Sequence, residues 1–350
     1  MDTPDSRADN APSGASGALA TAGECQGTGG VSPADSLGGR MLDLTYDYAS
    51  CIRNSERVAW RLDDVLPSET RLDFSRPFLP EALARSSQAP GLTDKERLTL
   101  NQITGNAYLN LFSFVEEYIL ATVVHHAQAE LTTRRDSDAV RALVRFADEE
   151  AKHQQLFRRF RTAFDRDFGT RCPVLDSAAH VAGIILSKTP IAVMLITLHL
   201  EIMTQQHYTD CVRDDAAVDP LFCKLLRFHW LEEAQHACID LLELDKLFTD
   251  ATREIRERGF DDYLTIVAEL DGLLAQQAKL DLLSMENALG RKFDEASGMA
   301  VVRSQHQAYR YTFLVSGMTN PTFLDSVRKI APLAAQRIVE KAATLSPPAA

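Results

Sequence analysis

The sequence predicts an all-α protein, and three observations support that prediction. No run of alternating apolar and polar residues reaches a useful strand length anywhere in the chain. From Thr93 onward, apolar residues recur with the periodicity of amphipathic helices. Residues that commonly begin or end helices stand at the boundaries of these runs, namely Thr93 with Glu96, Asp219 with Pro220, and Gly290. The chain is therefore expected to be a set of packed helices.

The expected elements follow in order along the chain. Residues 1–40 are mostly small or polar, a composition that cannot offset the entropy of ordering, so a disordered tail is predicted there. Residues 41–350 are predicted to form a single helical domain, which begins with a helix near 42–66. A bundle over about 94–248 is expected to be elaborated by additional helices over about 260–345. The long helices are expected at 93–129, 137–164, 190–212, 219–248, 262–289, 299–315 and 321–345.

Composition and charge limit the classes of function. The 350 residues include 37 Lys and Arg against 49 Asp and Glu, which gives a formal net charge of -12. Nucleic acid and anionic membranes require clustered Lys and Arg, so small molecules or proteins are the expected partners, with a homodimer as an open alternative. The chain has scattered cysteines without a Cys-x-x-Cys pair, no secretory signal and no uninterrupted apolar stretch of membrane-spanning length. These features favour a cytoplasmic protein.

Two copies of one short pattern are the main functional signal. Glu150 with His153 in one predicted helix, and Glu233 with His236 in another, each form a Glu-x-x-His sequence. Residues three apart share a helix face, so each pair would direct one carboxylate and one imidazole toward the same point. Two such pairs, with one further inward Glu from each of two other helices, form the two-metal site of a four-helix bundle.

Glu117 and Glu201 are the predicted single Glu ligands. Glu117 precedes Glu150 by 33 residues (150 − 117), and Glu201 precedes Glu233 by 32 residues (233 − 201). Each half of the bundle is thus expected to be an antiparallel helix hairpin that supplies one single Glu and one Glu-x-x-His. Glu116 competes with Glu117 for the inward position, but its helix face is less uniformly apolar.

Buried carboxylates require a compensating charge. Apolar neighbours three and four residues away place Glu117, Glu150 and Glu201 on faces that are expected to be buried. Burying an ionised carboxylate without a partner is costly, so two divalent metal ions are predicted between these side chains. Mixed carboxylate and imidazole donors suit iron, with manganese as the alternative.

The residues beside these ligands are assigned smaller roles. Glu149 and Glu232, the first Glu of each doubled pair, lie about 100° round the helix from the selected Glu, which excludes them from the inward face. Asp240 follows His236 by four residues and is a candidate to hydrogen-bond the outer nitrogen of that imidazole.

His229 extends the second pair. It lies four residues before Glu233 and seven before His236, so the three side chains share one helix face. The order Glu, Glu-x-x-His, Glu and His-x-x-x-Glu-x-x-His resembles the ligand pattern of the AurF-type non-haem di-iron N-oxygenases, which include para-aminobenzoate N-oxygenase. The resemblance covers residues of about 101–245.

This resemblance implies a ferritin-like four-helix bundle with a di-metal core. It also implies two bound iron ions and O₂ as co-substrate. The implied reaction is N-oxygenation of an arylamine to a hydroxylamine or nitro product, with electrons from a reductase, a ferredoxin or a chemical reductant. The implied metal ligands are Glu117, Glu150, His153, Glu201, His229, Glu233 and His236.

Other interpretations of the same pattern stay open. A di-iron hydroxylase or desaturase would use a similar scaffold to oxidise a C–H bond. A ferritin-like iron-oxidising protein would need a much shorter chain. A radical-generating subunit like that of ribonucleotide reductase would have a Tyr four residues after His153, where this chain has Phe157. A helical protein without catalytic activity would require the pattern to be a coincidence.

Overall fold

The computed structural model describes residues 42 and 44–346, which form helices joined by turns and loops, with no strand among them. The all-α prediction is therefore confirmed for this part of the chain. The predicted disordered tail of residues 1–40 lies outside the described residues.

Short helices precede the bundle, namely α1 (Tyr48–Val58), α2 (Leu62–Val65) and α3 (Glu81–Ala84). The single helix predicted near 42–66 is wrong, because the chain leaves the helical conformation at Ala59 and buries the side chain of Trp60 before α2 begins. α1 packs against two later helices, Ser137–Asp167 and Pro220–Asp250, and covers one side of the bundle core.

The first bundle hairpin consists of α4 (Asp94–Thr132) and α5 (Ser137–Asp167), which pack closely on one another. The predicted capping box begins α4: the backbone N–H of Thr93 donates to the Glu96 carboxylate, and that of Glu96 donates to the Thr93 hydroxyl. Asp136 caps α5 by accepting hydrogen bonds from the first turn. The short connection makes the two helices antiparallel neighbours.

The second hairpin follows α6 (Ala178–Leu186) and consists of α7 (Pro190–His207) and α8 (Pro220–Asp250). Proline is the first residue of both helices, where its missing N–H has no cost, and Asp219 caps α8 as predicted. One π-helical turn, Tyr208–Val212, continues α7. α7 packs on α8, and α8 packs on α5, which joins the two hairpins into a four-helix bundle.

The remaining helices pack on the outside of this bundle. α9 (Arg253–Leu289) lies against α4 and α7, and α10 (Glu295–Arg310) lies against α9. The helix predicted over 321–345 is divided at Ala331, since proline restricts the residue before it and cannot donate a hydrogen bond. The elements are α9 (Arg253–Leu289), α10 (Glu295–Arg310), a π turn (Tyr311–Val315), α11 (Ser316–Met318), α12 (Pro321–Ile330) and α13 (Pro332–Leu345).

α4 is the one described helix that is long and apolar enough to cross a membrane. However, 61% of its most apolar segment is buried inside the protein. A helix in the centre of a bundle contacts neighbours on several sides, so it is hydrophobic on several faces without crossing a membrane.

Candidate metal centre

A cluster of buried carboxylates and imidazoles from four helices occupies the bundle core. Every residue of this cluster is at most 3% exposed. The donor atoms form two groups that share Glu233, and within each group they lie within 4.8 Å of one another. The cluster consists of Glu116 from α4, Glu150 and His153 from α5, Glu201 from α7, and His229, Glu233 and His236 from α8.

The first group combines Glu116, His153 and His229 with the shared Glu233. His229 Nε2 lies 3.0 Å from Glu116 Oε1 and 2.9 Å from Glu233 Oε1. His153 Nδ1 lies 3.2 Å from the same oxygen of Glu233. Two imidazoles from different helices thus approach one carboxylate.

The second group combines Glu150, Glu201 and His236 with Glu233. His236 Nδ1 lies 3.0 Å from Glu150 Oε1 and 3.9 Å from Glu201 Oε2. Glu150 Oε1 also lies 3.9 Å from Nδ1 of His153 in the first group. Glu150 and Glu233 therefore both lie between the groups, where a bridging carboxylate would be.

The prediction that Glu117 lies on the buried face of its helix is wrong, because Glu117 is exposed and Glu116 takes the inward position. α4 is apolar on more than one face, so neighbours one turn away did not distinguish the two residues. The distinction lies two turns away: Leu109 and Val123, on the Glu116 side, are buried, whereas Val124, on the Glu117 side, is 53% exposed. The other six predicted residues all lie in the cluster, namely Glu150, His153, Glu201, His229, Glu233 and His236.

Two carboxylates that lie outside the cluster hydrogen-bond to imidazoles of the cluster. Glu232 Oε2 lies 2.9 Å from His153 Nε2, and Glu149 Oε2 lies 2.9 Å from His236 Nε2. An ionised carboxylate only accepts, so each Nε2–H donates and each Nδ1 faces the cluster. The first Glu of each Glu-Glu-x-x-His therefore orients the imidazole of the other copy. Sequence reasoning gave these residues no such role, although the doubled Glu at both sites was the available signal.

These outer carboxylates are themselves held in place. The Ser55 hydroxyl of α1 donates to Glu149, and the Lys152 ammonium pairs with Glu232. The candidate role of Asp240 is wrong, because Glu149 occupies the outer nitrogen of His236. The carboxylate of Asp240 is fully buried and has no hydrogen-bond partner among residues 42 and 44–346.

The cluster contains four carboxyl groups and three imidazoles, and their proximity shifts the pKa values of its members. Burial, and next the charge of Glu150, raises the pKa of Glu116 to about 8. Burial and the charge of Glu233 raise the pKa of Glu201 well above its ordinary value. Burial alone would lower the pKa of His229, but Glu233 and Glu116 raise it to about 9. These shifts favour the protonated forms of all three groups when no metal is bound, whereas two divalent ions would supply one positive charge for each of the four inward carboxylates.

The unpartnered atoms of the cluster show how well it fits metal ions. Within the described chain, Nδ1 of His153 and of His236, both oxygens of Glu150 and one oxygen of Glu233 have no hydrogen-bond partner. Leaving one buried polar group unsatisfied costs about 1–3 kcal/mol. The atoms lie close together without forming hydrogen bonds, which is the arrangement of donors around a shared point. Carboxylate and imidazole donors without a thiolate suit iron or manganese.

Aromatic rings enclose the three imidazoles of the cluster. Two of them stack face to face with an imidazole, and two present an edge. The distances between ring centroids are 3.8 Å for Phe146 and His236, 6.0 Å for Trp60 and His153, 5.1 Å for Phe157 and His229, and 5.5 Å for Phe112 and His229. These contacts fix the ring planes and keep water away from the donors.

A cavity of about 250 Å³ lies between α4 and α5, beside the first group. Its lining includes Ser113, one turn before Glu116, and Phe157, which contacts His229. Asn106 also lines it and is 1% exposed, and neither atom of its side-chain amide has a partner among the described residues. This amide could both donate to and accept from a small polar molecule.

The outer carboxylates give a testable prediction for metal affinity. Replacing Glu149 or Glu232 by Gln is expected to weaken Fe(II) binding about 10–100-fold, because the imidazole loses its charged acceptor and its orientation. Competition with a chelator under anaerobic conditions measures the affinity. Glu117→Gln, a loss of charge at an exposed position, serves as the control. Unchanged affinity in both outer variants would show that these carboxylates have no part in holding the metal.

No protein-family model and no curated protein sequence matches this chain. Among solved structures, it is similar to point mutants of an R2-like ligand-binding oxidase. One with an anaerobically reconstituted Mn/Fe cofactor aligns with a TM-score of 0.43 and 17% identity over 75% of this chain and 90% of that chain. Another, with an aerobically reconstituted Fe/Fe cofactor, aligns with a TM-score of 0.40 and 18% identity over 74% of this chain and 89% of that chain. At these scores and identities, the similarity assigns neither a family nor an activity to this chain.

Proposed function

We propose that this chain is a di-metal oxidoreductase that uses two iron ions, with manganese as the alternative, and O₂ to oxidise a small organic substrate. The proposed reaction is N-oxygenation of an amine. The observation that carries the proposal is the presence of two adjacent groups of buried carboxylate and imidazole donors that share Glu233. A shared carboxylate serves a pair of ions, as in the two-metal centres of helix bundles, whereas a single structural ion needs only one group.

The proposed reaction needs electrons from outside the chain. Conversion of an amine to a hydroxylamine places one atom of O₂ in the new N–OH group and releases the other as water. The balance requires two electrons and two protons, which a reductase, a ferredoxin or a chemical reductant would supply. When bound, the metal ions supply the redox chemistry, and the protein supplies binding, orientation and electrostatics.

The described residues would perform those three tasks at separate places. Four inward carboxylates balance the charge of the ions, and Glu149 and Glu232 keep each Nδ1 directed inward. The aromatic rings around the imidazoles limit the access of water, which strengthens electrostatic interactions inside the site. These residues would hold the metal ions without any of their side chains transferring a proton.

We propose that the substrate binds in the cavity between α4 and α5, beside the metal centre. Its volume of about 250 Å³ suits a molecule with a single ring. Phe157 separates the cavity from His229, and Asn106 offers an unpartnered amide for a polar group of the substrate. The resemblance of the ligand pattern to N-oxygenases supports an amine as the oxidised group.

Metal loading followed by a labelled turnover experiment tests the proposal. Protein loaded anaerobically with Fe(II) is expected to retain two irons per chain after gel filtration. After chemical reduction and exposure to ¹⁸O₂ with a panel of aromatic amines, mass spectrometry should detect hydroxylamine products that carry one labelled oxygen.

Two results would contradict this proposal at different levels. Protein that binds neither iron nor manganese would exclude the di-metal centre. Labelled oxygen found only in C–H hydroxylation products, with none in any amine product, would retain the centre and exclude N-oxygenation.

A further inference from the structure

A second and larger cleft lies between the π-helical turn that follows α7 and the first three turns of α8. It has a volume of about 630 Å³. We refer to it as the cationic cleft, and its lining includes Tyr208, Thr209, Arg213, Lys224, Arg227 and Trp230.

Two of the three cations that line this cleft have no ion-pair partner among the described residues. None of the described residues that line it is acidic. Lys224 and Arg227 form no hydrogen bond or ion pair with any residue in the part of the chain that the structure describes. Arg213 pairs with its neighbour Asp214 at 3.0 Å, and that carboxylate is 79% exposed. Asp214, Asp215 and Asp219 lie near the rim of the cleft, so the attraction of an anion rests on Lys224 and Arg227, which lie one turn apart on α8.

An aromatic wall adjoins these cations. The rings of Tyr208 and Trp230 stack with centroids 4.6 Å apart and an interplanar angle of 27°. Trp230 is 5% exposed, and its buried indole nitrogen has no acceptor within residues 42 and 44–346. The part of this aromatic pair that lines the cleft therefore offers ring surface beside the cations.

The backbone that forms this wall is unusual. Tyr208 begins the π-helical turn Tyr208–Val212, which the N–H of Arg213 closes by donating to the Tyr208 carbonyl at 2.9 Å. Such turns are rare and occur frequently at functional sites. Tyr208 lies two turns beyond Glu201, so a molecule in the cleft would be outside the metal centre rather than within it.

We propose that the cationic cleft binds a planar aromatic molecule that carries a phosphate group. Lys224 and Arg227 bind the doubly charged phosphate, for which the planar fork of arginine offers paired donors. Tyr208 and Trp230 contact the ring. The volume of the cleft lies in the range of small-molecule sites, about 300–1,000 Å³. This binding does not depend on the proposed oxidation reaction, because no residue of the metal cluster lines the cleft.

Calorimetric titration of the full chain with three probes tests the proposal. The probes are 1-naphthyl phosphate, 1-naphthol, which lacks the charge, and inorganic phosphate, which lacks the ring. We expect 1-naphthyl phosphate to bind at least about tenfold more tightly than either of the others, since only it uses both parts of the cleft. The double variant Lys224→Gln and Arg227→Gln is expected to lose about tenfold or more of that affinity.

A matched double variant separates the cleft from the general effect of charge. Lys95→Gln with Arg141→Gln removes the same charge from exposed positions on α4 and α5, and is expected to bind like the parent protein. Equal losses in the two double variants would overturn the proposal. Equal affinity for inorganic phosphate and 1-naphthyl phosphate would overturn it as well, and so would failure of 1-naphthyl phosphate to bind.

Discussion

Replacing Glu233 by Ala is expected to reduce the iron content of anaerobically loaded protein from two ions per chain to none. Glu233 belongs to both donor groups, and its Oε1 lies 2.9 Å from His229 Nε2 and 3.2 Å from His153 Nδ1. Removing it takes one donor from each ion and one negative charge from the centre of the cluster. Elemental analysis after gel filtration measures the loss, and O₂-dependent activity should disappear with it.

The controls for this variant separate ligand loss from unfolding. Glu269→Ala removes an exposed carboxylate from α9 and is expected to keep both ions. Far-ultraviolet circular dichroism should show the same helix content for all three proteins. If Glu233→Ala retained two irons per chain, Glu233 would not be the shared ligand and the two-group arrangement would be wrong.

The neighbouring pair Glu116 and Glu117 gives the second large effect. Glu116→Gln is expected to lower the affinity of the first group for Fe(II) by more than about 100-fold, since it removes a charged ligand rather than an outer support. Glu117→Gln should leave both sites intact, because that side chain is exposed. A two-site metal titration distinguishes loss of one ion from loss of both.

The two variants are close controls for each other. Both replace Glu by Gln in the same turn of α4, so effects on helix propensity are nearly equal. A larger loss in Glu117→Gln would restore the arrangement that the sequence favoured. Equal losses would mean that neither carboxylate is a ligand and that the variants act through the packing of α4.

The sequence predicts well those parts of the site in which all the residues belong to one helix. Glu150 with His153 depends only on the period of the α-helix, as does the row of His229, Glu233 and His236. These residues meet in the structure because backbone hydrogen bonding fixes their relative directions. The same local rule placed the caps of α4 and α8 correctly.

The choice between adjacent carboxylates on α4 depends on tertiary packing. α5, α6 and α9 all pack on α4, so its apolar residues surround most of the helix and do not mark one inward face. The roles of Glu149 and Glu232 were missed for a related reason. Their partners belong to another helix, so spacing within one segment does not identify the partners, and the repeated Glu-Glu pair was the only signal of a role.

The exchange of outer carboxylates between the hairpins has a consequence for how such a site could arise. Glu232 supports His153 and Glu149 supports His236, so neither hairpin contains a complete imidazole support. Two identical hairpins from separate chains could make the same exchange across a twofold axis, whereas one hairpin alone could not. Fusion of two copies into one polypeptide would preserve that symmetry while allowing each half to diverge. His229, which has no counterpart before the first Glu-x-x-His, would be a product of such divergence.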